Sequence, residues 1–162
     1  LLFFFFLCVQ LTALSVLPVH DRQLTCLPES VGQLTALTTL DLRGCRVLTC
    51  IPESVGQLAA LTTLQVFRCE ALICLPESMG QLAALTTLRV FECRALTCLP
   101  ESVGQLAALT TLELGVCEAL TCLPESVGQL TALMTLCLLL RRVNLPARVD
   151  GPAGGVDDAA SF

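Results

Sequence analysis

The stretch Leu24–Val47 reads LTCLPESVGQLTALTTLDLRGCRV, and near-copies of it begin at Leu48, Leu72, Leu96 and Leu120, a spacing of 24 residues. Upstream, Gln10–Leu24 (QLTALSVLPVHDRQL) aligns with Gln33–Leu48 (QLTALTTLDLRGCRVL) with one residue fewer, and the fifth unit loses the pattern after Leu140. The repeat array therefore covers residues 10–140. Self-similarity at a fixed period of this length marks a solenoid, in which each unit contacts only its neighbours.

Within one unit the apolar positions are Leu34, Leu37, Leu40, Leu42, Cys45, Leu48, Ile51, Val55 and Leu58. The period of two at Leu40 and Leu42 predicts a short strand with one face inward and one outward. After it, Ile51-Pro52-Glu53-Ser54-Val55-Gly56 predicts a single helical or 3₁₀ turn, with Pro at its first helical position, an acid in its first turn and Gly where it ends. A lone unit has too few aliphatic side chains to offset the entropy of ordering its backbone, so units must stack and pair their strands. The expected product is a parallel sheet of about six strands, backed by short turns.

The rest of the composition narrows the function. The chain has 162 residues, the length of one domain, and a formal charge of -5 with only 9 basic residues, which gives no footprint for nucleic acid. Hydrophobic residues are 54% of the chain and mean hydropathy is +0.78, yet only the first 19 residues approach a membrane-spanning length, and residues 10–19 already belong to the repeat. The single His and the lack of any CxxC leave no zinc spacing. No GxSxG, phosphate loop, HExxH or paired-carboxylate motif occurs, so neither a catalytic residue nor a cofactor is expected.

Positions that differ between near-identical copies fall into columns. The first is Asp41, Gln65, Arg89, Glu113 and Cys137, the second Arg43, Phe67, Phe91, Gly115 and Leu139, and the third Gly44, Arg68, Glu92, Val116 and Leu140. The first two flank the inward Leu of each strand and are expected on the exposed face; the third sits at the strand exit. One reading is a recognition surface in which Phe67 and Phe91 form an apolar anchor ringed by Arg68, Arg89, Glu92 and Glu113, with Asp41, Arg43 and Gln65 beside it. The other is drift, with Arg68–Glu92 and Arg89–Glu113 forming cross-strand pairs only. Arg46, Glu70, Arg94 and Glu118 alternate in sign down a further column, expected to be a solvated ladder of weak ion pairs.

The pattern LxxLxLxxC followed by xxLxxLPxxxGxL resembles the leucine-rich repeat family over about four fifths of the chain. The Cys-containing form, as in CRVLTCIPESVGQL, looks most like the intracellular repeats of plant-type NLR disease-resistance proteins and of scaffold-type Ras-pathway proteins. The LxGxIP form of extracellular receptor kinases is not matched, and in the first unit Arg22 stands at the usual Asn or Cys position. The resemblance implies an α/β horseshoe arc with the parallel sheet on its concave side. It further implies a non-enzymatic module that binds a protein or peptide in signalling or innate immunity, in the cytoplasm. Two alternatives stay open: a sensor or autoinhibitory part of a multidomain signalling NTPase, and a decaying repeat fragment with no selected ligand.

By the same resemblance, Cys45, Cys69, Cys93 and Cys117 occupy the family's Asn or Cys corner, with an inward thiol packed as a small hydrophobe. Cys26, Cys50, Cys74, Cys98 and Cys122 precede the Leu-Pro or Ile-Pro step and are expected outward or half-buried. Neighbours in either column would stand near disulfide distance, which leaves metal or redox chemistry open beside plain duplication of one Cys. His20 is expected to be a solvated strand residue. At the ends, residues 1–9 (LLFFFFLCV) read as a truncated signal or gene-model remnant. Residues 141–162, with the aperiodic PARVDGPAGGVDDAASF from Pro146, read as a disordered tail. The whole is expected to be part of a longer chain.

Overall fold

A computed structural model describes residues 13–139. The expectations for residues 1–9 and 141–162 lie outside the described residues. Six parallel strands form one sheet in sequence order: β1 Val16–Val19, β2 Thr39–Arg43, β3 Thr63–Phe67, β4 Thr87–Phe91, β5 Thr111–Gly115 and β6 Thr135–Leu139. The register follows the repeat, so Leu40 pairs with Leu64, Leu64 with Leu88 and Leu88 with Leu112. Consecutive strands are joined by 3₁₀ turns at Glu29–Gln33, Glu53–Gln57, Glu77–Gln81, Glu101–Gln105 and Glu125–Gln129. Between sheet and turns runs one continuous core. All nine apolar positions from Leu34 to Leu58 are buried in it, none more than 5% exposed. Among the described residues no helix is long and apolar enough to cross a membrane.

Side chains extend the ladder beyond the strands. Before them, the hydroxyls of Thr62, Thr86 and Thr110 donate to the carbonyls of Thr38, Thr62 and Thr86 at 3.0–3.1 Å. After them, the buried thiols of Cys45 and Cys69 donate to the carbonyls of Val19 and Leu42 at 3.3 and 3.2 Å. The corner Cys is thus a hydrogen-bond donor as well as a small hydrophobe, and it ties each unit to the strand before it.

Two details of the turn differ from expectation. Pro52 is the N-cap, in extended conformation at φ -69 and ψ 153, and the turn begins at Glu53. Its fixed φ serves an extended residue as well as a helical one. Gly56 lies inside the turn, which closes when the Leu58 N–H bonds back to the Val55 carbonyl. What requires glycine is close approach: a Cβ at Gly56 would stand 2.6 Å from both the Cβ and the carbonyl oxygen of Ser78 in the next unit.

Candidate partner-binding face

The variable columns of the sequence are rows of paired residues in the sheet. Asp41, Gln65, Arg89, Glu113 and Cys137 are consecutive register partners, and so are Arg43, Phe67, Phe91, Gly115 and Leu139. Because Leu40 and Leu42 and their equivalents point into the core, these two rows share the outer face of the sheet. At their centre is a shallow concavity of about 280 Å³, lined chiefly by Arg43, Gln65, Phe67, Arg89, Phe91 and Glu113. Six of the nine residues singled out from sequence therefore meet at one place.

The other three stand differently. Asp41, expected on the surface, is buried at 8% exposure. Arg43, two residues along the same strand, folds back over it, with Nε 2.9 Å from Oδ1 and Nη2 2.9 Å from Oδ2. That pairing removes Asp41 from the accessible face and leaves the outer surface of Arg43 in its place. Arg68 and Glu92 lie at the strand exit, joined at 2.7 Å. The carboxylate of Glu92 holds the Arg68 guanidinium above its ordinary pKa, while the guanidinium carbon sits 5.1 Å from the centre of the Phe67 ring.

The charges of the face are matched within the chain. Arg89 pairs with Glu113 at 3.0 Å, and Arg43 Nη2 donates to the Gln65 side-chain Oε1 at 3.3 Å. The outlying column behaves alike, with Arg46–Glu70 at 3.5 Å and Arg94–Glu118 at 3.6 Å, both solvated. The aromatic pair carries no ion pair of its own, only the Arg68 guanidinium over the Phe67 ring. Phe67 and Phe91 are direct neighbours across β3 and β4, and both are half-buried where the sequence suggested exposure. Phe91 owes its cover partly to Gly115: a Cβ there would collide with the Phe91 ring, so the ring occupies the room that glycine leaves on β5. The signal in the sequence was the Gly next to Phe in one column.

The third column carries a feature that sequence reasoning missed. Gly44, Arg68, Glu92 and Val116 all have positive φ, between 53 and 75. Each turns the chain away from the sheet while its N–H still donates to the last residue of the next strand, as Arg68 does to Phe91 at 2.9 Å. The glycine at Gly44 was the available hint. His20 is exposed and lies just past β1 instead of within it, its Nδ1 3.2 Å from the Arg43 carbonyl. Among the described residues, no group of three or more His, Cys, Asp or Glu side chains could hold a metal ion.

A family profile described as leucine-rich repeat region matches residues 8–98, more than half of the chain. The chain belongs to the leucine-rich repeat family. Several solved leucine-rich repeat structures are similar to it. An LRR protein of Leptospira interrogans aligns at 26% identity and TM-score 0.37, over 82% of this chain and 45% of that one. The leucine-rich repeat domain of the type III effector XopL aligns at 20% identity and TM-score 0.47, over 80% and 70%. Internalin C2 from Listeria monocytogenes aligns at 14% identity and TM-score 0.39, over 82% and 80%. The chain spans under half the length of the Leptospira protein. No curated protein matches the sequence. The leucine-rich repeat fold is commonly a protein-interaction module, and no finer resemblance within the family emerges from these comparisons.

Proposed function

We propose that this leucine-rich repeat chain is a non-enzymatic interaction module whose sheet face takes a protein or peptide, with Phe67 and Phe91 as its anchor. The observation that carries the reading is the aromatic pair itself, side by side in register on a face whose ion pairs are already satisfied within the chain. Aromatic side chains at the floor of a shallow concavity, rimmed by polar groups that exclude water, are the arrangement that concentrates interface energy. The matched charges contribute orientation and selectivity more than affinity.

The Cys-containing repeat form further supports a role in signalling or innate immunity within the cytoplasm, by its resemblance to intracellular resistance-type repeats.

Peptides selected on the folded chain from a random display library provide a test that requires no named partner. Replacing Phe67 and Phe91 together by Ala should weaken the enriched peptides by at least about 2 kcal/mol, roughly 30-fold in Kd. Circular dichroism should show the variant still folded, because neither ring is part of the aliphatic core. Equal affinity for wild type and the double variant, measured by titration calorimetry, removes the anchor.

A further inference from the structure

Away from the sheet face, each unit presents one more thiol. Leu48 and Ile51 are buried, which leaves Thr49 and Cys50 between them facing out, and Cys26, Cys50, Cys74, Cys98 and Cys122 are all exposed. The backbones beside these cysteines are hydrogen-bonded from unit to unit. The Thr49 N–H donates to the Thr25 carbonyl at 3.0 Å, and the Thr49 hydroxyl reaches the same oxygen at 3.3 Å. Between Cys26 and Cys50 the contact goes further, because these two residues form a parallel β-bridge of their own.

Residues directly opposite in a bridge project their side chains to the same side. Bridged backbones stand about 4.8 Å apart, inside the Cα separation that a disulfide spans, roughly 4.4–6.8 Å. The pair is thus pre-aligned, exposed to solvent and used by neither the core nor the partner-binding face. Buried Cys45, close by in sequence, is shielded and donates its proton to the Val19 carbonyl. Proximity of a second thiol decides the fate of a modified one: a mixed disulfide beside a free thiol is displaced intramolecularly.

We propose that Cys26 and Cys50 form a dithiol modification site for low-molecular-weight disulfides of the glutathione class, closing to a disulfide that joins the first two units. The Cys26 thiolate attacks one sulfur of oxidised glutathione, the glutathione S–S bond breaks, and one glutathione thiolate leaves. The Cys50 thiolate then attacks the Cys26 sulfur, forms the Cys26–Cys50 bond and expels the second glutathione thiolate. The two thiol protons end on the two glutathione molecules. Two electrons pass from the protein dithiol to the small disulfide.

The test treats the folded full chain with oxidised glutathione, traps free thiols with an alkylating reagent and maps the peptides by mass spectrometry. In the wild type, Cys26 is expected in a peptide linked to Cys50, with little glutathione retained. In Cys50→Ser, which alters an exposed side chain, Cys26 should keep the glutathione adduct because its bridge partner is gone. Addition of reduced dithiothreitol should return both proteins to free thiols. Wild-type Cys26 that retains glutathione as fully as in Cys50→Ser overturns the proposal. Linkage of Cys26 to any other cysteine, or between molecules, overturns it equally.

Discussion

Arg68, Glu92 and Val116 hold the same left-handed backbone as Gly44, at φ 56, 54, 53 and 75. For an L-residue this region costs roughly 1–2 kcal/mol, and a β-branched side chain fits it worst. Arg68 and Glu92 gain an ion pair with each other there, whereas Val116 is an apolar side chain 40% exposed. Val116→Gly should therefore stabilise the fold by about 0.5–1 kcal/mol, part of the relief being lost to the greater freedom of glycine when unfolded. Urea denaturation decides it, and a lower midpoint would show that Val116 packs in a way that outweighs its backbone. The strained column was hard to read in the sequence because its occupants, Gly, Arg, Glu and Val, share no chemistry. Asp41 was misleading for a related reason. Its row-mates are polar, and nothing in the spacing says that the guanidinium two residues on closes over it.

The 3₁₀ turn shows how one element can be legible in kind and not in detail. Pro, Glu and Gly predicted a short turn over Ile51–Gly56, and a turn is there at Glu53–Gln57, but the Glu and the Gly act across the gap to a neighbouring unit. Gly56 admits the backbone of Ser78, and Glu53 accepts the Ser78 N–H at 2.9 Å, as Glu77 does that of Ser102 at 3.4 Å. An acid read as serving its own turn caps the next one, a relation visible only once the units are stacked. The Ser78 backbone N–H, with the Ser78 side chain behind it, lowers the pKa of Glu53 in the folded chain. A group whose folded pKa is depressed contributes stability that is present above its unfolded pKa and is lost as pH falls through the folded value. Acidification from neutral pH through the carboxylate range, about pH 4 and below, should thus lower the Tm. In Glu53→Gln the amide oxygen still accepts from Ser78 but does not titrate, so the fall in Tm over that window should be smaller. Scanning calorimetry at several pH values checks this, and parallel Tm profiles for the two proteins would remove the cap from the acid response. The effect is small, since the carboxylate is exposed and solvent screens it.

At the scale of the whole molecule, the two cysteine columns report on the stack. The outer one is exposed, whereas Cys45, Cys69 and Cys93 show 0% exposure and Cys117 2%. Where burial keeps an inner thiol protonated it also keeps it inert, because the reactive species is the thiolate. Cys69 is pushed well up by the Cys45 and Cys93 thiols on either side of it together with burial. Burial pushes Cys117 up to about 11. The Cys69 thiol lowers the pKa of Cys93, so for Cys93 it is enclosure that excludes a reagent: with Cys69 and Cys93 at 0% exposure, a thiol reagent acting on the reduced, folded chain should label Cys50, Cys74 and Cys98 long before either. The inward placement of the inner cysteine column was what the family resemblance implied, so this order tests that expectation directly. The structure adds a second step. Leu112 and Leu114 on β5 are fully buried, but Leu136 and Leu138 on β6 are only partly so, and Met134 is 85% exposed. In a solenoid each unit is held only by its neighbours, so opening propagates from the less buried side. Cys117, in the corner after β5, its thiol bonded back to the Val90 carbonyl at 3.8 Å, should label after the outer column but before Cys69 and Cys93. Mass spectrometry of peptides from a timed labelling series resolves the three classes. Identical rates for Cys69, Cys93 and Cys117 would mean that the described units open together as one cooperative block. Labelling of Cys69 as fast as Cys50 would mean that the columns are not divided between inside and outside at all.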